Sequence, residues 1–212
     1  MSGSVVWIEG IIGSGKSTLT KAVADRLRLR PLYEPVDDNP LLAKFYNDPK
    51  KYAFPMQMLL MARRYAMQQL AAWEAVHGTD FKGAVVDRGL PGDRVFCRLH
   101  IAEGNIEPEF WDVYETFYKI MSLNLPTPSV LVFLDVEPEV AHERMQRRAR
   151  AAENGVPLEY LKKLRRGYLD LLVEIESGQH AWARGMRVIR IPWNTDHLDP
   201  EPVINKISAA CA

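Results

Sequence analysis

Gly10-Ile-Ile-Gly-Ser-Gly-Lys-Ser17 is the stretch that decides the fold. It meets the phosphate-loop pattern G-x-x-x-x-G-K-S/T at every fixed position. The run before it, Val5-Val6-Trp7-Ile8, is apolar and β-rich, as a buried strand should be. After it, between Thr18 and Leu29, Leu19, Val23, Ala24 and Leu27 recur at helical spacing. Strand, glycine loop and helix together give the pattern its physical meaning. The glycines let backbone N–H groups turn inward around phosphate oxygens at the positive end of a helix. The expected nucleotide contacts run through Gly10, Ile11, Ile12, Gly13, Ser14, Gly15, Lys16, Ser17 and Thr18. Lys16 is placed to reach the β- and γ-phosphates, and the Ser17 hydroxyl to ligate Mg²⁺. The alternative, a glycine-rich turn that binds nothing, does not account for both flanks.

Composition narrows the rest. The 212 residues fit one α/β domain spanning 1–212, and 47% hydrophobic content is ample for a core. Lys+Arg and Asp+Glu are both 27, so zero net charge gives no reason to expect a nucleic-acid or membrane-surface binder. The two cysteines, Cys97 and Cys211, form neither a disulfide framework nor a metal cluster, which points to a reducing, cytoplasmic setting. Apolar runs are too short to span a bilayer. Met1-Ser-Gly-Ser leads straight into the first strand, leaving no room for a cleaved secretory signal.

Further along, Pro31-Leu-Tyr-Glu34 reads as a second strand, Gly83-Ala-Val-Val-Asp87 as a third, Val130-Leu-Val-Phe-Leu134 as a fourth and Val188-Ile-Arg-Ile191 as a fifth. Asn39 is positioned to cap a helix with Pro40 first, and Leu41, Leu42 and Phe45 on its inner face. Longer helical patterns cover about 54–76 and 107–123, the latter with Phe110, Tyr114, Phe117 and Met121 along one face. Pro138 and Pro157 open two more, and 200–210 closes with another. Arg88-Gly-Leu-Pro-Gly-Asp93 reads as a loop. Strands alternating with helices predict a five-stranded parallel sheet covered on both faces. In such sheets ligands bind beyond the carboxyl ends of the strands, so chemistry belongs at the glycine loop, at Glu34-Pro35 and at Asp87-Arg88.

A carboxylate such as Glu34 beside a γ-phosphate can take a proton from an attacking hydroxyl or position it. Asp87 offers support for Mg²⁺, and Arg88 a cation for developing phosphate charge. Read singly, these are also an ordinary turn and a structural ion pair. Arg144 and Arg148 share a helix face, and Arg148-Ala-Arg150 leads into a polar loop. A basic run is commonly a solvated face; beside a phosphate loop, an arginine-bearing lid over about 144–156 is the sharper reading.

With these segments in place the chain resembles the deoxyribonucleoside kinase family. The matching stretches are Ile8-Glu-Gly10 with Gly15-Lys-Ser-Thr18, Glu34-Pro-Val36, Phe54-Pro-Met-Gln57, Asp87-Arg88 with Asp93, and Arg148-Ala-Arg150 with Val156-Pro-Leu-Glu-Tyr160. They keep the family's order and spacing, and only the last fifth of the chain lacks a distinctive match. Glu34-Pro-Val-Asp-Asp-Asn-Pro40 and the segment 54–64 look nearest the bacterial deoxyadenosine and deoxyguanosine kinases. The resemblance implies a phosphate-loop kinase fold and ATP-dependent phosphorylation of a nucleoside 5′-hydroxyl. Glu34 would be the general base, steadied by Arg88, with Lys16 on the donor and Ser17 and Asp87 serving Mg²⁺. Gln57 would pair with the base. Tyr46 and Glu153 would contact the sugar 3′-hydroxyl, with crowding there against a ribose 2′-hydroxyl. Arg144, Arg148 and Arg150 would be the lid arginines. A homodimer on the long helices and feedback by the end-product triphosphate are also implied.

Arg64 and Asp93 bear on specificity. Charged residues at these positions resemble the enzymes for deoxyadenosine, deoxyguanosine and deoxycytidine rather than the thymidine branch; a surface ion pair is the plainer alternative. Two departures stand out. The family's Glu-Arg-Ser is Asp87-Arg88-Gly89, and one acid common in the lid of relatives is Ala152. His77, His100, His142, His180 and His197 lack metal-ligand spacing and read as exposed or core residues. Met58, Met61 and Met67 read as helix core or subunit interface. Phe54 and Phe96 are placed either to stack on the base or to pack in the core.

Two other functions share parts of this pattern. A nucleoside monophosphate kinase of the thymidylate type needs a second cationic site, and Asp37 and Asp38 would repel its acceptor phosphate. A non-catalytic nucleotide-sensing module would keep the glycine loop without needing Glu34, Asp87 and Arg88.

Overall fold

Short runs of β-branched residues pair side by side at the centre of the molecule. The computed structural model describes residues 3–34, 39–149, 155–196 and 199–211. Strands β1 (Ser4–Glu9), β2 (Arg30–Leu32), β3 (Gly83–Asp87), β4 (Val130–Asp135) and β5 (Arg187–Pro192) form one parallel sheet in the order β2-β3-β1-β4-β5. Near-continuous apolar sequence in β3 and β4 matches burial on both faces. Helices α1 (Lys16–Leu27) and α8 (Glu201–Cys211) cover one face. The other carries α3 (Pro49–His77), α4 (Leu90–Ala102) and α7 (Leu158–Glu176), with α5 (Phe110–Leu123) against α3 and α4. The short α2 (Leu42–Asn47) packs on α3, and α6 (Pro138–Arg148) on α7.

The sheet order places the site. β1 lies between β3 and β4, and its register sets Ile8 opposite Asp87. Because all strands run the same way, the acids that end or follow them (Glu9, Glu34, Asp87 and Asp135) gather along one edge, around the glycine loop.

Several local expectations give way. The stretch 88–93 is not a loop: α4 starts at Leu90, with Pro91 and Gly92 inside its first turn. Proline is tolerated there because a first-turn N–H has no helical partner anyway. Helix α3 begins at Pro49, five residues early, where the Asp48 side chain accepts a hydrogen bond from the Lys51 N–H at 3.2 Å. It continues through Pro55, which forfeits one backbone bond, because Ala53, Met56, Gln57, Leu60 and Met61 are all buried along that stretch. Asn39 does not cap α2; its Oδ1 accepts from the Leu41 N–H at 2.9 Å in a tight turn, and the helix starts at Leu42. On α5 the buried face is Tyr114, Tyr118 and Ser122, while Phe110 and Phe117 point outward.

Two apolar clusters result. The larger fills the sheet and both helix layers. The smaller joins α3, α4 and α5 through Ala53, Met61, Leu90, Cys97, Ile106, Tyr114 and Tyr118. Met61 is core; Met58 and Met67 are half-buried against the two clusters. No helix among the described residues is long and apolar enough to cross a membrane.

Leu131, the second residue of β4, has no exposed surface. Leu131→Ala is expected to lower unfolding free energy by about 2–5 kcal/mol, read as a shifted urea midpoint at unchanged slope.

Candidate functional site

A cavity of about 610 Å³ opens at the carboxyl edge of the sheet, between the glycine loop and the α2–α3 and α4 helices. One half is built from the loop. Gly13 and Gly15 sit at φ 78° and 89°, in the left-handed region where glycine is favoured. A Cβ on Gly13 would also run into the Ala141 carbonyl on α6. No side chain caps α1, so its first N–H groups are left for a ligand. Ile12, Gly13, Gly15, Lys16, Ser17 and Thr18 line the cavity, whereas Gly10, Ile11 and Ser14 stand behind that wall. Lys16 Nζ donates to the Ile11 carbonyl at 2.9 Å, folding the ammonium back over the loop. Burial first, then the nearby Arg88 charge, draw Lys16 down to about 8, against Asp87, Glu34 and Glu9.

Ser17 Oγ donates to Asp87 Oδ2 at 2.6 Å. The other oxygen, Asp87 Oδ1, is buried and has no partner. A buried carboxylate oxygen without a donor fits a cation, so Ser17 and Asp87 suit Mg²⁺. Among the described residues no group of three or more acidic, cysteine or histidine ligands is assembled.

The other half is a buried charge network. Glu34 Oε1 pairs with Arg64 and, at 3.0 Å, with Arg88 Nε. Arg64 also pairs with Asp93, and Tyr114 donates to Asp93 Oδ2 at 2.7 Å. Arg64 and Asp93 are 2% and 0% exposed, so the surface-pair alternative fails. Burial would raise the Glu34 carboxyl, but Arg88, Arg64 and Lys16 outweigh it and hold it well below the usual carboxylate range. Glu34 is therefore an ionised acceptor at any working pH.

Gln57 faces the cavity and donates from Nε2 to the Asp93 carbonyl at 3.0 Å. Arg64, Arg88, Tyr46 and Phe96 also line it, and the Phe96 ring lies 4.7 Å below the Arg88 guanidinium. Asp93 does not reach the cavity; it acts from behind, through Arg64 and Gln57. Phe54 does not line the cavity; it is half-buried against the smaller cluster, and its ring stacks on the outward-facing Phe110 at 4.5 Å.

The arginines of α6 divide. Arg148 is on the cavity wall. Arg144 turns away: its Nε pairs with Asp196 at 2.9 Å and Nη1 donates to the Trp193 carbonyl at 2.9 Å. Arg150 and Glu153, with Pro35 to Asp38, lie outside the described residues.

Three residues of the site escaped the sequence. His100, set aside as one of five scattered histidines, lines the cavity at 2% exposure. Burial draws its imidazole down to about 4, with Glu103 opposing, so the ring is neutral. Glu9 and Tyr168 form a buried pair behind Arg88. Only Glu9 left a trace, as an acid ending an otherwise apolar strand.

Bound phosphate raises the Lys16 pKa from its resting value of about 8. Affinity for ATP is therefore expected to be flat below pH 8. Above it, affinity should fall by up to roughly tenfold per pH unit, because each binding event then takes up a proton. Calorimetric titration across that range measures the slope. In Lys16→Arg the side chain stays charged and the slope should vanish; a retained slope would assign it to another group.

Comparison with known proteins accounts for this arrangement. The deoxynucleoside kinase family model matches residues 6–210. A deoxyadenosine kinase of Dictyostelium discoideum is 35% identical over 209 residues, covering 99% of this chain and 80% of that protein. A deoxyguanosine kinase of the same organism is 33% identical, covering 96% and 68%. The deoxyadenosine/deoxycytidine kinase of Bacillus subtilis is 31% identical, covering 78% and 75%. In fold, a deoxyadenosine kinase from M. mycoides solved with bound dCTP superposes with a TM-score of 0.79 at 22% identity, over 97% of this chain and 99% of that one. Phosphate loop, buried acceptor network and sheet order thus have a common explanation: this chain belongs to the deoxynucleoside kinase family and is a phosphotransferase.

Proposed function

We propose that the chain carries the γ-phosphoryl group of ATP, with Mg²⁺, to the 5′-hydroxyl of deoxyadenosine, deoxyguanosine or deoxycytidine, in one catalytic domain over 1–212. The observation that carries this reading is Glu34, held ionised by Arg64 and Arg88 on the wall that also carries Lys16. A carboxylate so stabilised is a weak base. Its task is to accept a hydrogen bond from the 5′-hydroxyl and aim it, taking the proton late, as suits a loose phosphoryl-transfer transition state. Lys16 and the N-terminus of α1 hold the donor phosphates, and Arg88 meets the charge of the transferring group. Ser17 and Asp87 would hold Mg²⁺, which when bound neutralises phosphate charge.

Gln57 and Arg64 form the base-reading end, and Tyr46, with Glu153, the sugar end. Arg64 touches Asp93 on one side and Glu34 on the other, so base recognition and hydroxyl activation share one guanidinium. Arg148 is the arm of the lid that already faces the cavity, and Arg144 its anchor on Trp193 and Asp196. Both cations of the acceptor half, Arg64 and Arg88, are already matched by carboxylates, which argues against an acceptor that brings its own phosphate.

A panel of nucleosides and monophosphates with ATP tests this. Turnover of the purine deoxynucleosides or deoxycytidine is expected, with deoxyadenylate and thymidylate inert; turnover confined to a monophosphate would sink the reading. Glu34→Gln should bind ATP normally while kcat falls by roughly 100-fold or more.

The quaternary reading is a homodimer. The outward face of α5 exposes Phe110, Val113, Phe117, Ile120 and Leu123, an apolar stripe unusual for a surface left in water. Sedimentation should give a dimer for the parent and a monomer for Phe117→Arg; a monomeric parent refutes it. Two free cysteines, with burial pushing the Cys97 thiol up to about 12, accord with a cytoplasmic setting.

A further inference from the structure

One carboxylate outside the cavity, Glu9, is linked to both ends of Arg88, through the Gly89 N–H on the backbone side and through the Tyr168 hydroxyl at the guanidinium. The Arg88 backbone sits at φ 68°, a left-handed conformation that is strained for a non-glycine residue. Such a conformation persists where the surroundings over-determine it. Glu9, the last residue of β1, is 1% exposed and supplies that determination. Its Oε1 accepts from the Gly89 N–H at 2.8 Å, immediately beyond the strained backbone. Its Oε2 accepts from the Tyr168 hydroxyl at 3.1 Å, and the same hydroxyl oxygen accepts from Arg88 Nη1. The chain thus closes a ring from Arg88 backbone to Glu9, to Tyr168, and back to the Arg88 guanidinium.

Two features show that the ring is built rather than incidental. Gly92, in the first turn of α4, lies so close that a Cβ there would stand 2.6 Å from the Tyr168 hydroxyl and strike Glu9 Oε2. Alignment is the second. The Glu34 contact with Arg88 Nε is an ion pair at 3.0 Å, yet that N–H makes no aligned hydrogen bond. Among the described residues, Tyr168 is the only hydrogen-bonded partner of the Arg88 guanidinium. Neither Glu9 nor Tyr168 lines the cavity.

We propose that Glu9 and Tyr168 are positioning residues: they fix the Arg88 guanidinium over the transferring phosphoryl group and tie it to the strand that carries the donor loop. Glu9 directly precedes Gly10, so one residue joins the phosphate loop to the arginine of the acceptor half. Fixing a long arginine side chain costs rotamer entropy. Holding it before substrate arrives removes that cost from the transition state, which is what preorganised charge stabilisation requires.

The inference rests on the proposed role of Arg88 in phosphoryl transfer, and a double-variant cycle separates the two. Tyr168→Phe keeps the ring that lies 5.9 Å from the guanidinium and removes only the hydroxyl. It should lower kcat about tenfold or more, short of the roughly 100-fold loss on deleting a direct donor, with KM for ATP and nucleoside within about twofold. In an Arg88→Lys background the same change should cost less than about twofold in kcat, because the group it positions is gone. Glu9→Gln should behave like Tyr168→Phe. Wild-type kcat in Tyr168→Phe, losses that multiply in the double variant, or a KM rise matching the kcat fall would each overturn the inference. Wild-type kcat in Arg88→Lys would instead remove the proposed role of Arg88, and the inference with it.

Discussion

A fully buried guanidinium, that of Arg88, is the interaction on which the site depends. At 1% exposure it is among the largest side chains sealed from water. A buried charge is tolerable only when paired and hydrogen-bonded. Here the pairing comes from three strands and a helix: Glu34 after β2, Asp87 at the end of β3, Glu9 at the end of β1, and Tyr168 on α7. Arg88 therefore exists in this form only if the parallel sheet has closed in its observed order. The charged wall of the cavity and the fold are one construction.

The same logic spreads outward. Glu34 is matched by Arg64, Arg64 by Asp93, and Asp93 by the Tyr114 hydroxyl from α5. Burial increases from Glu34 through Arg64 to Asp93 and Tyr114, so this half of the cavity is anchored in the smaller apolar cluster rather than in a surface loop. In the low dielectric of that interior, charge pairs interact more strongly than in water, and a single missing partner is correspondingly costly. The donor half is organised differently. There the start of α1 has no side-chain cap, and the Lys16 ammonium donates to a carbonyl of its own loop.

Much of this was legible in the residues. Four strands fall on the apolar, β-branched runs, whereas β2 is Arg30–Leu32 and stops two residues short of Glu34. Most helices lie within a few residues of their periodic patterns. The failures share a cause. Gly89, Pro91 and Gly92 read as a loop because glycine and proline usually break helices; here proline sits in a first turn and Gly92 makes room for Glu9 and Tyr168. Phe54, one turn before Gln57, stacks on Phe110 rather than lining the cavity, a contact that depends on where α5 packs and not on helical spacing.

Gln57 and Arg64 entered only through the family resemblance, whereas the sequence by itself determined the phosphate loop and the parallel α/β architecture and singled out Glu34, Asp87 and Arg88 as candidates. These are local facts: a glycine pattern between a strand and a helix, and acids at strand ends. Only the tertiary structure decided which charges meet. That Arg64 bridges Glu34 and Asp93, that Asp93 acts from behind the wall, that His100 faces the cavity, and that Glu9 and Tyr168 grip Arg88 are all contacts between residues at least 29 positions apart or settled by burial. No periodicity encodes them, because they arise from strand order and from the need of each buried charge to find a partner.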